Sequence, residues 1–511
     1  MTMASDSSRG RVVVLVHTRL GADSRVIKQV RSMQDRGWDV VAVAVGNASK
    51  DVDLHGASIV AVDPGKTLRQ PRSAFRSPLV RSPLAYSSRG KPRYLAAWHR
   101  ARLGDLRYRV DAVRAAQPPA TGLRVAALRG RALAAKARVA IADRRLQATD
   151  DLISQRRKAE GRVDALASTA WQRVLGDGAW RRLWPEAYEQ ELVYGPVIDS
   201  LAPDIIHAND FMMLAVAARA KLRARAQGRD VKVLWDVREY LRGMSPWSPH
   251  PRWKPAHVSM ESEFAPYADA VVTVSEPLAD LIIADHHLTE RPAIVLNAPV
   301  ITDPPITCDT DVRRECGLAA DVPLVVYSGG AAPQRGLEVM VEALPDLPGT
   351  HTAFVVLQPG VTDLPPYVQG LADRAAELGV ADRVHFLSYV PSEQVVAFLS
   401  TADIGVFPGL PFLNHQISLI TKFLEYSHAR LPIVVSNLKT MAETVRATGQ
   451  GEVFECEDPV TYASAIRKVL ADRASYLPAY DDAERMEAWA WEAQAVALDR
   501  VYASMMEGRH V

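Results

Sequence analysis

Short, continuous apolar runs recur along this chain with no polar alternation, which suits strands buried on both faces. The first is RVVVLVH at 11–17. Such runs belong to parallel sheets whose crossover helices cover both sides. The stretch after it, DSRVIKQVRSMQDRG, places Val26, Val30 and Met33 on one side of a helix that stops at Gly37. WDVVAVAV is the next strand. After a long interruption the alternation resumes with PDIIHAND, the helix FMMLAVAARAKLRARA, and the strands VKVLWD, AVVTVS and PAIVLNAP. The segment VITDPPITCDTDV at 300–312 is rich in Pro, Thr and Asp and reads as a domain boundary. A second array follows: strand PLVVYSGG, helix RGLEVMVEAL, strands TAFVVLQ and RVHFLSYV, helix SEQVVAFLSTA, strand DIGVFPG. The stretch NHQISLITKFLEYSHARLPIVVSN then reads as loop, helix and buried strand. Two βα arrays predict an α/β fold of two Rossmann-like lobes facing each other across a cleft.

The interruption is a different kind of sequence. Between Lys66 and Arg182 stand 27 Lys and Arg against 8 Asp and Glu, roughly +19, in a chain whose net charge is only +2. Two long Ala/Arg-rich helices joined by QPPATG are expected there, as a basic helical insertion at 66–186 in the first lobe. Trp98, Trp171, Trp180 and Trp184 sit among the arginines, as on a surface meeting anionic lipid headgroups. The alternative is a solvated hairpin that packs on the acidic remainder or on a second subunit, making a homo-oligomer. Nucleic acid is not expected as a partner, because no recognition module accompanies the charge.

Composition adds boundaries. With 48% hydrophobic and 23% charged residues, the chain has the balance of an ordinary globular protein. The N-terminal apolar run is too short for a signal peptide and lacks a cleavage site. No stretch approaches the roughly 18 apolar residues of a spanning helix. Cys308, Cys316 and Cys456 show neither metal-ligand spacing nor the even count of a disulfide framework. A cytoplasmic protein is expected, with peripheral attachment to the inner face of the cell membrane as the role of the basic insertion.

In doubly wound sheets ligands sit beyond the carboxyl ends of the strands, so the chemistry belongs in the loops there. Four loops carry it: His17, Asp23 and Arg25; Asn209 and Asp210; Asp236, Arg238 and Glu239; and Arg335 before Gly336. A fifth candidate is the cation and carboxylate three residues apart on one helix face, Lys422 and Glu425. Taken alone, that spacing is also that of a solvated i,i+3 pair.

These residues carry a resemblance. DSRVIKQVRSMQDRGWDV, PDIIHAND, DVREY, ADAVVTVSEPLADLI, VLNAP, VVYSGGAAPQRGLEVMVEAL, RVHFLSYVPSEQVVAFLSTADIGVFP and KFLEYSHARLPIVVSN stand in the order of similar elements in retaining GT-B glycosyltransferases of family 4 (group 1). WEAQAVALDRVYASM resembles that family's last helix. The resemblance implies an acceptor lobe at 1–300, a nucleotide-sugar lobe at 301–487, and a C-terminal helix at 488–511 crossing back to the first lobe. It implies a glycosyltransferase that moves a sugar from a nucleotide-diphosphate sugar to a glycan or lipid-linked acceptor, with retention, without a metal or other cofactor, in envelope, exopolysaccharide or glycoconjugate biosynthesis.

Without a metal, the developing diphosphate charge must be met by side chains and helix N-termini. Arg335 stands where the family usually has a phosphate-binding Lys, and Gly330 where its partner Arg is often found. Lys422 is the candidate second cation. Glu425 matches the second Glu of the family's paired motif, the one that touches the nucleotide ribose, but Ile417 stands where the first belongs. SLITKFLEY is similar to a variant form, with Ser418, Thr421 and the helix N-terminus facing phosphate. Asn414, His415 and Gln416 are the candidates for sugar hydroxyls, and Gly329 and Val390 complete the donor-binding set. Arg335, Lys422 and Glu425 are the catalytic candidates.

On the acceptor side, DVREY resembles the family's D-x-H-E element with Arg238 replacing the His, which suits a phosphate or carboxylate on the acceptor. The alternative is a structural ion pair between Asp236 and Arg238. Asp23 is expected to cap the first helix, Asp23 and Arg25 to face the other lobe, and His207 to be structural. Two other functions remain: a catalytically inactive homologue acting as a membrane-associated assembly partner, and a sugar-nucleotide epimerase. The second requires paired carboxylates for acid/base work, whereas the candidates here are mostly cations and amides.

Overall fold

The structure is a computed structural model that describes residues 9–46, 52–65, 68, 86, 90–115, 122–149, 161–244, 252–361 and 363–507. The chain divides into two units. The first comprises Met1–Val272, Ile282–Pro292 and Val501–Val511, and the second Thr273–Leu281 and Ala293–Arg500. The Pro-rich segment 300–312 therefore lies within the second unit.

Each unit is built around a parallel sheet. The first sheet contains β1 (Arg11–Leu15), β2 (Asp39–Val45), β3 (Ser58–Val62), β4 (Ile205–Asn209), β5 (Lys232–Val237), β6 (Ala270–Thr273) and β7 (Ala293–Ile294), in the order β3-β2-β1-β4-β5-β6-β7. Val13 lies opposite Val41 on one side and Ile206 on the other, all in parallel register. The second sheet contains β8 (Leu324–Ser328), β9 (His351–Leu357), β10 (Val384–Ser388), β11 (Ile404–Phe407), β12 (Ile433–Ser436) and β13 (Gly451–Phe454), in the order β10-β9-β8-β11-β12-β13. All its pairings are parallel. Strands β8, β11 and β12 are buried at every residue, as their uninterrupted apolar runs require. In both sheets the order reverses beside the first strand, so the crevices open between β1 and β4 and between β8 and β11.

Helix α1 (Ser24–Asp35) buries Val26, Val30 and Met33, and Asp23 caps it by accepting from the Val26 amide at 3.2 Å. Gly37 takes φ +86°, the left-handed turn that a glycine adopts at least cost. The basic insertion forms α2 (Gly90–Ala115), α3 (Gly122–Thr149), α4 (Gly161–Leu175) and α5 (Trp180–Leu183), followed by α6 (Ala187–Leu201), α7 (Asp210–Ala226) and α8 (Trp253–Phe264). Helix α3 packs along α2 with Val125, Leu128, Ala132, Ala135, Val139 and Ala142, a stripe of alternating three- and four-residue steps. The Pro turn expected between them, 117–121, lies outside the described residues, as do 69–85 and 150–160.

Two of the four tryptophans expected at a lipid-facing surface are core instead. Trp98 is 7% and Trp180 1% exposed, and both pack on Tyr188 with ring centroids 5.9 and 4.9 Å away. Arginines beside a tryptophan on a helix do not mark a surface when the helix is pressed onto a neighbour. Among the described residues no helix is long and apolar enough to cross a membrane.

Candidate functional site

The second unit brings the donor-side candidates to the carboxyl end of β8. Gly329 follows that strand at φ +136°, and a Cβ built on it would lie 2.2 Å from Lys422 Cε. The lysine side chain therefore lies directly over the glycine, and a side chain there would displace it and be strained at that φ. Gly330 beyond it is exposed, and its carbonyl accepts from the Tyr327 hydroxyl at 2.9 Å. Burial pushes the Lys422 ammonium below the usual lysine range; Glu425 opposes this and Arg335 adds to it.

Arg335 ends a tight turn, Pro333–Arg335, that Gly336 closes at φ +63°. A Cβ on Gly336 would meet the Pro408 carbonyl at 2.4 Å, so the turn presses against the loop leaving β11. Arg335 Nη1 donates to His415 Nε2 at 3.0 Å, and its guanidinium stands 5.8 Å from the Phe407 ring centroid. His415 Nδ1 lies 2.7 Å from the Leu410 carbonyl, which can only accept. The imidazole is thus neutral, with its proton on Nδ1 and its Nε2 lone pair turned to the guanidinium. Burial lowers its pKa; the Leu410 bond opposes this and Arg335 reinforces it.

The helix Thr421–His428 holds Lys422 and Glu425 one turn apart, both half-buried. Its N-cap is Ile420, whose side chain accepts nothing, so no side chain caps the amides of its first turn. Tyr426 fixes the helix to the sheet: its hydroxyl accepts from the Ser328 amide at 3.0 Å and donates to the Val406 carbonyl at 3.2 Å. The ring lies under Gly405, where a Cβ would come within 2.4 Å of Tyr426 Cγ.

The remaining donor-side candidates differ in what they already bind. Ser418 Oγ donates to the Asn414 carbonyl at 2.6 Å, and Gln416 Oε1 accepts from the Lys439 amide at 2.7 Å. Both ring nitrogens of His415 are engaged as described. Asn414, Thr421 and Val390 are half-buried. Ile417 is buried, with its carbonyl accepting from Ser275 Oγ at 2.6 Å. Sequence reasoning missed the roles of Phe407, Tyr426 and Leu410. His415 was legible as polar but not as the partner of Arg335, 80 positions away.

The first unit gathers the acceptor-side candidates at the ends of β1, β4 and β5. Arg238 bridges two carboxylates, donating through Nη1 to Asp23 at 2.7 Å and through Nη2 to Asp210 at 2.8 Å. Asp210 adopts φ +65°, a left-handed conformation that costs a non-glycine residue energy. His17 Nδ1 is 4.0 Å from Asp210; burial lowers the pKa of the imidazole even though Asp210 pulls it upward. Glu239 is exposed, and Asn209 is fully buried, with neither amide atom bonded to protein.

The alternative pair between Asp236 and Arg238 does not form. Asp236, fully buried, instead receives Arg25 Nε at 2.9 Å, Arg25 Nη2 at 3.1 Å and Gln29 Nε2 at 2.6 Å. Burial alone would raise its pKa, but Arg25, with His207 at 3.7 Å, holds it well below the carboxylate range. Arg25 is 1% exposed and is spent on this pair, since two charges removed from water must satisfy each other. His207 also bonds the Tyr502 hydroxyl at 2.7 Å, a structural role.

Comparison with known proteins bears on both units. Residues 309–488 match the family model described as glycosyl transferases group 1. A D-inositol 3-phosphate glycosyltransferase of Geodermatophilus obscurus is 28% identical over 267 residues, 51% of this chain and 57% of that protein. A GDP-mannose-dependent alpha-(1-6)-phosphatidylinositol monomannoside mannosyltransferase of Mycolicibacterium smegmatis is 27% identical over 206 residues, 39% of this chain and 52% of that protein. The chain thus spans a little over half the length of these curated relatives. Among solved structures, sucrose-phosphate synthase from Thermosynechococcus elongatus superposes with a TM-score of 0.60 at 14% identity, covering 98% of this chain and 100% of that one. Anabaena HepE in complex with UDP-glucose gives 0.57 at 14% identity, covering 97% and 100%. The fold is therefore that of the GT-B glycosyltransferases, and residues 309–488 match the glycosyl transferases group 1 model.

Proposed function

We propose that this chain is a retaining, metal-independent glycosyltransferase of the family 4 kind. It takes a nucleotide-diphosphate sugar in its second unit and passes the sugar to a glycan or lipid-linked acceptor, in envelope, exopolysaccharide or glycoconjugate biosynthesis. One observation carries this reading: Lys422 lies over Gly329 within the electrostatic reach of Arg335, which donates to a neutral imidazole, and neither cation meets a carboxylate within ion-pair distance among the described residues. Two preorganised cations beside uncapped helix amides match the charge that a departing diphosphate develops. Glu425 accepts from ribose hydroxyls in this arrangement. The relatives' names support a nucleotide-sugar donor, one of them naming GDP-mannose. On the acceptor side, Asn209 offers an unbonded amide beside Asp210, and Arg238 is already shared by two carboxylates. The acceptor hydroxyl is therefore read at the partly exposed Asp210, with buried Asn209 beside it, rather than at Arg238.

The basic insertion is read as facing an anionic membrane from the cytoplasm. Helix α3 exposes Leu123 and Leu133, at 83% and 77%, among its arginines, which sets apolar side chains beside positive charge. Buried Ile417, where the family has a carboxylate, favours a second reading, an inactive assembly partner. A thermal-shift series with UDP, GDP and their common sugar conjugates, followed by donor hydrolysis without acceptor, separates the two. Nucleotide-dependent stabilisation with hydrolysis supports the enzyme. Stabilisation without hydrolysis or transfer to any acceptor supports the partner, and no stabilisation by any nucleotide overturns both readings of the donor site.

A further inference from the structure

The inserted helices border an open hollow for which glycosyl transfer has no use. It has a volume of about 690 Å³ and lies between α2, α3, α4 and the turn that leads into α5, within the size range of small-molecule sites. Its lining includes five arginines, Arg102, Arg109, Arg131, Arg181 and Arg182, against the single carboxylate of Glu263. Two of the five are neutralised. Arg181 donates to Glu263 through both terminal nitrogens, and Arg109 Nε lies 2.9 Å from Asp105, which also takes Arg219 at 2.8 Å. Arg102, Arg131 and Arg182 reach no carboxylate among the described residues. Burial depresses the Arg102 pKa, and Arg109 and Arg182 add to this against Tyr188 and Asp105. Three guanidinium groups without an ion-pair partner around one hollow give it a positive field that favours an anion.

The other wall is apolar. Leu128 and Val113 line it, and Arg182 lies 5.1 Å over the Trp171 ring. Trp171 and Leu175 line the cavity and are also exposed, at 36% and 40%, with Val174 beside them at 73%. A ligand that satisfies both halves has an anionic head and a hydrocarbon part. Guanidinium forks match the oxygens of a phosphate in pairs.

We propose that the cavity between α2, α3, α4 and α5 binds the phosphate head of an anionic amphiphile, with Arg102, Arg131 and Arg182 on the phosphate and Trp171 and Leu175 on the hydrocarbon. This deepens the membrane-facing reading of the insertion and rests on it only for the source of the ligand. A bilayer lipid and a dispersed phosphorylated molecule present the same chemistry.

The test uses the full chain and three probes: monomeric dihexanoyl phosphatidic acid, inorganic phosphate, and phosphatidylcholine vesicles with and without phosphatidic acid. Dihexanoyl phosphatidic acid is expected to bind saturably and change Trp171 emission, a signal that disappears in Trp171→Phe. Inorganic phosphate, with no hydrocarbon for the apolar wall, should bind about tenfold or more weakly, since burying even two methylenes is worth about 1.6 kcal/mol. The Arg131→Gln/Arg182→Gln variant removes two exposed side chains and should weaken the amphiphile about tenfold or more, through loss of charge-assisted bonds. Competition by phosphatidic-acid vesicles identifies a membrane as the source, and its absence identifies a dispersed molecule. No saturable binding, equal affinity for inorganic phosphate, or full affinity in the double variant overturns the proposal. Nucleotide-induced thermal stabilisation, measured on the same samples, should be unchanged in the double variant. Its loss in the wild type would count against the donor site and leave this cavity untouched.

Discussion

Arg25 and Arg238 in the first unit and Arg335 and Lys422 in the second all lie near the carboxyl ends of parallel strands, yet their surroundings are opposite. Arg25 is closed into a buried pair with Asp236, and Arg238 is shared by Asp23 and Asp210. Arg335 meets a neutral imidazole, and Lys422 lies over a glycine with its charge form disfavoured by burial. A cation whose anion is supplied by its own chain serves architecture. A cation steered by a neutral acceptor keeps its charge for a ligand. By this criterion, among the strand-end candidates the cations left available for an anion are those of the second unit, although the sequence offers arginines in both.

The largest effect should come from opening the closed pair. Arg25→Ala leaves Asp236 charged and buried and should cost about 3 to 5 kcal/mol in chemical denaturation. A loss below about 1 kcal/mol would mean that water reaches Asp236 and that the pair is not architectural. The open pair should behave in reverse. Arg335→Ala or Lys422→Ala should lower transfer by about 2 to 4 kcal/mol of transition-state stabilisation while leaving the denaturation midpoint almost unchanged. Near-wild-type turnover in both variants would erase the distinction between the regions.

The first unit also excludes protons. His257 is 1% exposed and donates through Nδ1 to the Trp253 carbonyl at 2.7 Å, and burial pushes its pKa down to about 4. The unfolded chain takes this proton near pH 6.5, well before the folded one does. Stability is therefore complete above about pH 6.5 and falls with pH through that window, by on the order of 3 kcal/mol at pH 4 from this residue. In His257→Phe the acid slope should flatten; an unchanged slope would assign it to other groups.

Two smaller effects sharpen the donor side. Glu425→Gln should weaken free nucleotide diphosphate and nucleotide sugar alike by roughly 1.5 to 3 kcal/mol, as loss of a charge-assisted ribose bond does. Unchanged affinity for the free diphosphate would remove Glu425 from the donor site. His415→Ala removes the acceptor that holds Arg335 and should raise KM by about 1 kcal/mol equivalent with little change in kcat. His415→Gln, which restores an acceptor, should recover part of it. If His415→Ala binds donor normally, Arg335 is held by its turn alone.

Among the described residues, eleven of the thirteen strands stand where the apolar runs place them. The two that escaped, β3 and β13, are the sheet edges nearest β2 and β12. SIVAV and GEVF are short, and an edge strand needs fewer apolar residues because only one neighbour covers it. The helix expected across RGLEVMVEAL shrinks to Glu338–Glu342, since the turn at Gly336 consumes its start. Trp98 and Trp180 were misplaced for a related reason: composition identifies a basic helix but not which of its sides meets another element.

The candidate residues were legible as types at the ends of strands, because a parallel sheet fixes where loops emerge. Asp23 as a helix cap could be read locally, three residues from its partner amide. The pairings could not. Asp236 chose Arg25, 211 positions away, over Arg238 two positions away, because β5 turns the carboxylate toward buried α1 while Arg238 reaches past the strand end to Asp23 and Asp210. The sequence by itself determined two parallel βα arrays, a basic interruption and glycine-lined strand ends, since each follows from periodicity, charge and backbone freedom along neighbouring residues. Only the tertiary structure decided which cations are neutralised and which stay available, because a charge removed from water is settled by whatever group packing brings within hydrogen-bond reach, and that distance is not written in sequence separation.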